Sequence, residues 1–527
     1  MTSVSIAGAR AERGALVAIW GSAMLVAALG ATIGFMASPG INWGIWTAVA
    51  ALGLALAARF GAGVTPEAAA LLVVAVILAG GAAVTANPVF LALVLCGTTT
   101  LMAVALRLTA GTRAENVGLA QIITAPPRGA IACVGEAGRR AAEAIAATRA
   151  GRGVPAARGA VIAIPLVVIF ALLLSQADPT FALVRDDLAR ELSRITLLPR
   201  AVFFLALGVL TLGAYGIALR AGDAPVTVAI PAARPAAARG GAATLGVTER
   251  AIVLGSVSGV FALFLLLQVA YLFGDPGAAA GSGMTYAEYA RRGFGELTVA
   301  ASMASALILV LERFAGGRLG GDADGAGKGE LARGERLVRM LALVLIALVQ
   351  LLLDSAYRRV TLYEQAYGFT ASRLYAQTYM IVMSLALVAL GYEVWGGIDA
   401  RRLTRRVAVL GTGALIALTY WNHQAWIARQ NLARWERTGK LDVAYLTGSL
   451  SPDALPTVAA ALPRFGAADA ARARACLALR YDGWRFGGDH WYEWNARMRA
   501  ARRAVERLGI ERDTRERSAK REACWKA

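Results

Sequence analysis

Residue types that could do chemistry are concentrated in two segments rich in tyrosine, arginine and acidic side chains. One is Thr285-Tyr-Ala-Glu-Tyr-Ala-Arg-Arg-Gly-Phe-Gly-Glu-Leu297, and the other runs from Tyr357 to Tyr375. Paired arginines offer a fork of donors that fits a phosphate or carboxylate, and tyrosines can close around a lipid or sugar. The segments therefore predict a site for an anionic ligand such as a lipid headgroup. Its candidate residues are Tyr286, Glu288, Tyr289, Arg291, Arg292, Asp354, Tyr357, Arg358, Arg359, Tyr363, Tyr367, Arg373 and Tyr375.

Two other interpretations of these segments remain open. Arginine and tyrosine are the usual anchors of helix ends at a membrane–water boundary, where the cation reaches water and the phenol bonds a headgroup. Alternatively, ion pairs lock neighbouring helix ends, such as Asp354 with Arg358 or Glu296 with Arg292, which stand four residues apart. Neither of these interpretations requires a ligand.

Other kinds of reactive site have little support in the sequence. The chain has only two histidines, His423 and His490, and neither has a second metal ligand at a suitable spacing. Glycine-rich phosphate-binding motifs of the Walker or dinucleotide type do not occur. We therefore predict no catalytic residue, no metal site and no cofactor.

The elements that must position the polar segments are predicted to be membrane-spanning helices. The chain is 57% hydrophobic and 17% charged, whereas a soluble domain has about 25% charged residues. Apolar stretches recur at roughly the 20 residues that a helix needs to cross the hydrocarbon of a bilayer. We predict an all-α polytopic bundle of about eleven spans, at 15–35, 41–58, 68–84, 88–105, 159–177, 201–219, 251–273, 296–312, 337–355, 374–395 and 405–421.

The distribution of lysine and arginine predicts the orientation of this bundle. Connections on the same side as the N-terminus hold 25 basic residues, and those on the opposite side hold nine. Because basic loops stay in the cytoplasm, the N-terminus is predicted to be cytoplasmic and, after eleven crossings, residues 422–527 to be extracytoplasmic. This tail holds the other 20 basic residues, which carry less weight in this rule because they belong to a folded domain after the last span. Nucleic acid is not an expected partner despite the net charge of +19.

The chain is predicted to divide into four parts. Six spans form an N-terminal membrane region (1–220), which a linker rich in proline and alanine follows (221–249). A second membrane region of five spans (250–421) carries the two polar segments, and a small helical tail (422–527) completes the chain. Tail helices are expected after Asn422, after Ser451-Pro-Asp, and at 467–480 and 491–508. On an oxidising side of the membrane, Cys476 and Cys524 could pair.

Several separated motifs occur in an order that resembles a known family. They include Tyr271-Leu-Phe-Gly274, Asp354-Ser-Ala-Tyr-Arg-Arg359 and Asn422-His-Gln-Ala-Trp-Ile-Ala-Arg-Gln-Asn431, besides the Tyr-Gly-Phe-Thr and Arg-Leu-Tyr groups of the second segment. Together they resemble a bacterial family of polytopic membrane proteins that is described only as a domain of unknown function. The resemblance implies a protein of the bacterial cytoplasmic membrane, but it implies no activity and no catalytic residue.

Three functions are compatible with these features. We favour a non-enzymatic sensory, regulatory or envelope-scaffolding component whose residues 422–527 contact a protein partner. A transporter or lipid flippase is the first alternative, although the scarcity of ionisable side chains in the predicted spans disfavours ion coupling. The second alternative is a membrane-embedded transferase for a lipid-linked substrate, with Glu288, Glu296 or Asp354 as acid or base. In each case the lipid bilayer is a partner, and an anionic lipid headgroup is the expected ligand of the polar segments.

Overall fold

The computed structural model describes residues 20–147, 197–220, 245–273, 294–313, 325–482 and 490–510, together with Cys524. This part of the chain is almost entirely helical, which confirms the predicted all-α class. Its α-helices are α1 (Trp20–Ile33), α2 (Ile41–Phe60), α3 (Pro66–Gly80), α4 (Pro88–Thr109), α5 (Leu119–Ile123), α6 (Ala125–Ala147), α7 (Leu197–Arg220), α8 (Val247–Phe273), α9 (Phe294–Arg313), α10 (Gly325–Tyr367), α11 (Ala371–Gly396), α12 (Ala400–Tyr420), α13 (His423–Thr438), α14 (Leu455–Ala461), α15 (Ala467–Asp482) and α16 (Ala496–Glu506).

Eight of these helices are long and apolar enough to cross a membrane, namely α2, α3, α4, α7, α8, α9, α10 and α11. Their apolar lengths of 18 to 36 residues correspond to at least about 27 Å at the rise of an α-helix. They coincide with eight of the eleven predicted spans. The prediction of a multi-pass helical membrane protein is therefore confirmed.

The three remaining predicted spans have different outcomes. The span at 159–177 lies outside the described residues. Of the span at 15–35, the structure describes α1, which is a shorter apolar helix. The span at 405–421 falls in α12, which is helical but is not one of the eight. Its first two turns carry four arginines, Arg401, Arg402, Arg405 and Arg406.

Helix α12 nevertheless extends from one end of the bundle to the other. Near its start, Arg405 donates a hydrogen bond to the carbonyl of Ala114, just beyond the end of α4 (2.9 Å). At its end, the hydroxyl of Tyr420 donates to the carbonyl of Ile77, in the last turn of α3. Because α3 and α4 are antiparallel, these two contacts lie at opposite ends of the bundle. That α12 crosses the membrane stays a prediction, and this geometry favours it.

Two hydrophobic clusters hold the helices together. Helices α1 to α4, α6 and α7 share one cluster, in which Leu54, Cys133 and Tyr215 are buried. Helices α8 to α11, with the start of α12, share the other cluster, in which Leu345 and Leu387 are buried. The boundaries of the predicted membrane regions are not tested by these clusters and stay a prediction.

The second polar segment is far more helical than a connection between two spans would be. Helix α10 continues to Tyr367, so the turn before α11 is limited to residues 368–370. Gly368 has a φ of +88°, a left-handed conformation that glycine adopts without steric cost. The candidate residues of this segment therefore lie on the last turns of α10 and the first turns of α11.

Residues 422–482 and 490–510, with Cys524, form a small helical unit that we call the tail domain. Its hydrophobic core is built by α13 to α16 and includes Ile427, Leu446 and Leu477. Helix α13 ends at Gly439, which has a φ of +71°. Cys476 and Cys524 form a disulfide bond that ties the C-terminal end of the chain to α15.

The tail domain packs on one end of the bundle, which we call the tail face and define by the connections 34–40, 81–87 and 368–370. All three connections are hydrogen-bonded to it: the backbone N–H of Ser38 donates to the side chain of Glu493 (2.8 Å), Asn495 donates to the carbonyl of Thr85 (2.7 Å), and Phe369 donates to the side chain of Asn431 (2.8 Å). These three connections, all predicted to be extracytoplasmic, therefore meet the tail domain at the same end of the bundle.

We call the opposite end the basic face and define it by the connections 61–65, 110–124 and 397–399. Buried Arg250 contacts Glu312 and Glu335 there, and Arg401 donates to the side chain of Asn116 (2.9 Å). Other basic residues at this end are Arg59, Arg107, Arg113, Arg220, Arg333, Arg336 and Arg339. This is the end predicted to be cytoplasmic, and the assignment of sides stays a prediction.

Candidate functional site

The structure describes eight of the thirteen candidate ligand residues. Tyr286, Glu288, Tyr289, Arg291 and Arg292 lie outside the described residues. The eight others belong to α10 and α11 near the tail face, and they are Asp354, Tyr357, Arg358, Arg359, Tyr363, Tyr367, Arg373 and Tyr375. Their binding of a ligand stays a prediction, but the structure shows which of them lie together.

Asp354 and Arg358 form an ion pair on the surface of α10. Their charged groups are 3.0 Å apart, one helical turn apart in sequence, and their side chains are 58% and 71% exposed. The pair is one of the two ion pairs expected from the sequence. An exposed pair of this kind contributes about 0.5 kcal/mol to stability.

Tyr363, Tyr367 and Arg373 form a second group across the turn between α10 and α11. The guanidinium of Arg373 lies 4.2 Å from the centroid of the Tyr363 ring, and the two tyrosine rings are 4.7 Å apart. Arg373 also donates to the carbonyl of Gly368. This cation–π arrangement ties the start of α11 to the end of α10.

Two buried polar side chains lie next to this group. Glu364 is nearly fully buried and accepts a hydrogen bond from Gln377 of α11 (2.8 Å). Arg359, one of the candidate ligand residues, is also buried. Glu364 is not among the candidate residues that the sequence predicts.

Tyr375 belongs to a different environment. Its hydroxyl lies 3.0 Å from Nε2 of His423 and accepts from the side-chain amides of Gln424 (2.9 Å) and Asn87 (3.3 Å). Its ring packs against Phe90 with a centroid distance of 5.5 Å. The phenol therefore connects three elements, namely α11, the tail domain and the turn between α3 and α4.

His423 is held in one tautomer by its two neighbours. Its Nδ1 donates to the carbonyl of Leu418 (2.9 Å), so Nε2 is left to accept from the hydroxyl of Tyr375. Burial lowers the pKa of His423, which keeps the imidazole neutral. The histidine therefore works as a hydrogen-bonded link and not as a charge.

The same network continues to Asp453, a tail-domain carboxylate that is 2% exposed. Gln424 accepts from the backbone N–H of Ser451 (3.1 Å), and the hydroxyl of Ser451 donates to Asp453 (2.6 Å). The other oxygen of Asp453 accepts from the backbone N–H of Ala86, in the turn between α3 and α4 (2.9 Å). We call Tyr375, His423, Gln424, Ser451 and Asp453 the tail lock.

Two arginines of the tail domain balance the charge of the lock. Arg497 lies 3.7 Å from Asp453, and the field of Asp453 opposes the lowering of its pKa by burial. Arg480 donates to the carbonyl of Thr447 (2.8 Å), and burial lowers its pKa to about 10. A buried polar network whose members are hydrogen-bonded makes an assembly rigid and specific. The arrangement is suited to fixing a domain, whereas none of the described groups in it is placed as a nucleophile.

The tail lock was not predicted, although two of its signals were visible. The first signal is the polar run Asn422-His-Gln424, which follows directly on the last predicted span. The second is Ser451-Pro-Asp453, from which the sequence predicts only a helix start. In the structure, Pro452–Ala454 is a single 3₁₀ turn, and the Asp453 side chain is turned to the bundle. The pairing of the two motifs required knowledge of the tertiary structure.

Eight described helices that are long and apolar enough to cross a membrane, with a helical domain packed on one end of their bundle, define a polytopic α-helical membrane protein. The chain belongs to the DUF4153 family, a domain of unknown function, whose family model matches residues 68–461. No curated protein and no solved structure matches it. The matched region includes all five members of the tail lock.

Proposed function

We propose that this protein is a non-enzymatic scaffold of the bacterial cytoplasmic membrane, which holds its tail domain in a fixed position outside the cytoplasm for contact with a protein partner. The observation that carries the proposal is the tail lock. A domain that only had to be tethered would need a linker, whereas this one is joined to the bundle by buried and half-buried hydrogen bonds.

Two independent features support the extracytoplasmic position of the tail domain. Basic residues are concentrated at the opposite end of the bundle, as expected for a cytoplasmic face. The disulfide between Cys476 and Cys524 belongs to the tail domain, and disulfides persist in the oxidising space outside the cytoplasm.

The surface of the tail domain supports a role in protein contact. A groove of about 500 Å³ lies between α13 and α14, with Ala433, Pro456 and Ala460 among its lining residues and Arg429 and Arg464 at its sides. Arg464 is ion-paired with Glu436 across it. A small apolar floor with arginines at the rim is typical of surfaces that bind an acidic protein segment.

The alternatives inferred from the sequence have less support than the scaffold role. Asp354, a candidate acid or base for lipid chemistry, is exposed and ion-paired with Arg358. Glu393, a buried carboxylate in α11, is paired with Arg402 and Arg406. Glu364, in α10, accepts from Gln377 through one oxygen, and its other oxygen has no hydrogen-bond partner among the described residues. A proton-coupled or ion-coupled transporter would need an ionisable group that exchanges partners near mid-membrane.

The partner role can be tested by photo-crosslinking in intact cells. A photoreactive residue at Ala460, which is exposed in the groove, is expected to yield an adduct with a specific protein, while the same residue at Arg113 on the basic face should not yield that adduct. Asp453→Ala, which breaks the lock, should reduce the adduct. An Ala460 adduct that is absent, or that Asp453→Ala leaves unchanged, contradicts the proposal.

The side of the membrane on which the tail domain lies is tested by a separate measurement. In a Cys96→Ser background, Lys440→Cys in the tail domain should react with a membrane-impermeant maleimide in intact spheroplasts. The matched variant Arg113→Cys should react only after the membrane is permeabilised, and the reverse pattern would overturn the orientation.

A further inference from the structure

A groove on the outer surface of the bundle lies between α11 and α12, next to the basic face. Its volume is about 700 Å³. Leu385, Val388, Val409 and Leu410 form its apolar part, and the first three of these are exposed or largely exposed on the surface of the bundle. A surface at this level faces lipid, so an exposed apolar trough there is open to acyl chains.

The other end of the groove is built from arginines. Arg402, Arg405 and Arg406, all in the first two turns of α12, line it together with Tyr392. The guanidinium of Arg406 lies 4.7 Å from the Tyr392 ring centroid. The groove is therefore amphipathic along its length, with a cationic end at the membrane boundary and an apolar end about 10 Å deeper, two helical turns along α11.

One buried carboxylate positions two of these arginines. Glu393 is 0% exposed, and it accepts from Nε of Arg402 (2.7 Å) and from Nη1 of Arg406 (2.6 Å). Arg405 is held separately by the carbonyl of Ala114. Because the guanidinium groups are already ordered, an anion that binds them loses little additional side-chain entropy.

The charges of the groove do not cancel. Arg401, Arg402, Arg405 and Arg406 face only two acidic side chains in this cluster, Glu393 and the α12 cap Asp399. Nη1 of Arg402 and Nη2 of Arg406 make no hydrogen bond to any described residue. Two positive charges and their donors are thus available to an anion, and a phosphate group fits such donors.

We propose that this groove binds an anionic phospholipid, with the phosphate at Arg402, Arg405 and Arg406 and an acyl chain along Leu385, Val388 and Val409. The combination of apolar walls and a cationic end favours an amphiphile over a free phosphate. The site is separate from the candidate ligand residues of α10, which lie near the opposite face, and it does not depend on the scaffold role.

Delipidated full-length protein in mild detergent can be titrated with lipids and observed by native mass spectrometry. We expect dioleoyl phosphatidylglycerol to bind roughly tenfold more tightly than dioleoyl phosphatidylcholine, because two excess arginine charges act on the headgroup. Glycerol 3-phosphate, which has the anion without the chains, should not compete at equal concentration. Equal affinities for the two lipids would overturn the proposal, and full competition by glycerol 3-phosphate would identify a free-anion site instead.

A variant that fills the groove can distinguish lipid binding in the groove from non-specific electrostatic binding. Val409→Trp leaves every charge in place but occupies the trough, so it should weaken phosphatidylglycerol binding at least about fivefold. Leu351→Trp, at a similarly exposed apolar position of α10, should leave it unchanged, and both variants should keep the wild-type melting temperature. Equal binding by the two variants would contradict the groove as the site, whereas selective loss in Val409→Trp supports it.

Discussion

Each end of the bundle contains a buried carboxylate, and the two carboxylates differ in how far along the chain their partners lie. On the tail face, Asp453 accepts hydrogen bonds from Ala86 and Ser451 and faces Arg497, so it joins parts of the chain separated by 367 residues. On the basic face, Glu393 bonds Arg402 and Arg406, only nine and thirteen residues further along the chain. A long-range network fixes a domain, whereas a local one arranges charges on a surface.

This difference predicts distinct consequences when each carboxylate is removed. Asp453→Ala should be the most damaging change, lowering the free energy of unfolding of the docked tail by about 4 kcal/mol, because half-buried Arg497 loses its counter-ion and Ala86 its acceptor. Thermal unfolding in detergent and limited proteolysis of the tail measure the effect. Asp469→Ala is the control, since Asp469 makes no bond to the bundle among the described residues. A tail as protease-resistant as wild type would refute the role of Asp453.

Removal of the disulfide should act on the same end of the molecule. Cys476→Ser releases the C-terminal end from α15, and we expect it to destabilise the tail domain by about 3 kcal/mol through the greater freedom of the unfolded chain. Melting curves of the variant, compared with wild type under reducing and oxidising conditions, provide the measurement. Wild-type protein from intact cells that contains two alkylatable tail thiols would contradict both the bond and the predicted side.

Neutralising the buried carboxylate of the basic face should lower the free energy of unfolding less than Asp453→Ala does. It should also leave the tail domain docked on the bundle. Glu393→Gln is expected to lower stability by about 2 kcal/mol, since Arg402 and Arg406 are already partly exposed and can turn towards water or lipid headgroups. The rate of tail proteolysis should stay at the wild-type value. If the tail domain of this variant becomes sensitive to protease, the two ends of the bundle are coupled, and the contrast between Asp453 and Glu393 is wrong.

The two ends should also differ in their response to acid, because both histidines of the chain belong to residues 422–527. Since burial holds the pKa of His423 below its ordinary value of 6.5, the unfolded state binds a proton at a pH where the native state does not. The stability contributed by neutral His423 is complete above about pH 6.5 and is lost as the pH falls below it, by at most about 1.4 kcal/mol per pH unit. Melting temperatures between pH 7.5 and 5 should fall less steeply in His423→Gln than in wild type.

The smallest effect is expected at the exposed ion pair of α10. Arg358→Ala should change stability by about 0.5 kcal/mol, because its partner Asp354 is well exposed on the surface of α10. A thermal shift measurement can decide this, with Arg333→Ala on the basic face as a matched exposed arginine. A loss several times larger would indicate a partner beyond Asp354, such as the anionic ligand inferred from the sequence.

The candidate site was only partly visible in the sequence. The pair of Asp354 and Arg358 could be predicted, because residues four apart on a helix are neighbours wherever the helix lies. That Tyr363 stacks with Arg373 while Tyr375 turns to His423 could not, since these contacts depend on where the α10–α11 turn and the tail domain are placed.

The sequence by itself determined the helical class and most of the spans, because a bilayer requires each crossing segment to satisfy its own backbone and to be apolar over its length. Both requirements are local, so stretches such as Ile41–Phe60 can be recognised without their neighbours. Only the tertiary structure decided that Ala86 meets Asp453, and that Glu393 is enclosed by the arginines of α12. Those contacts depend on hydrogen bonds and ion pairs that form only when separate helices are packed together, and no local pattern of hydropathy records them.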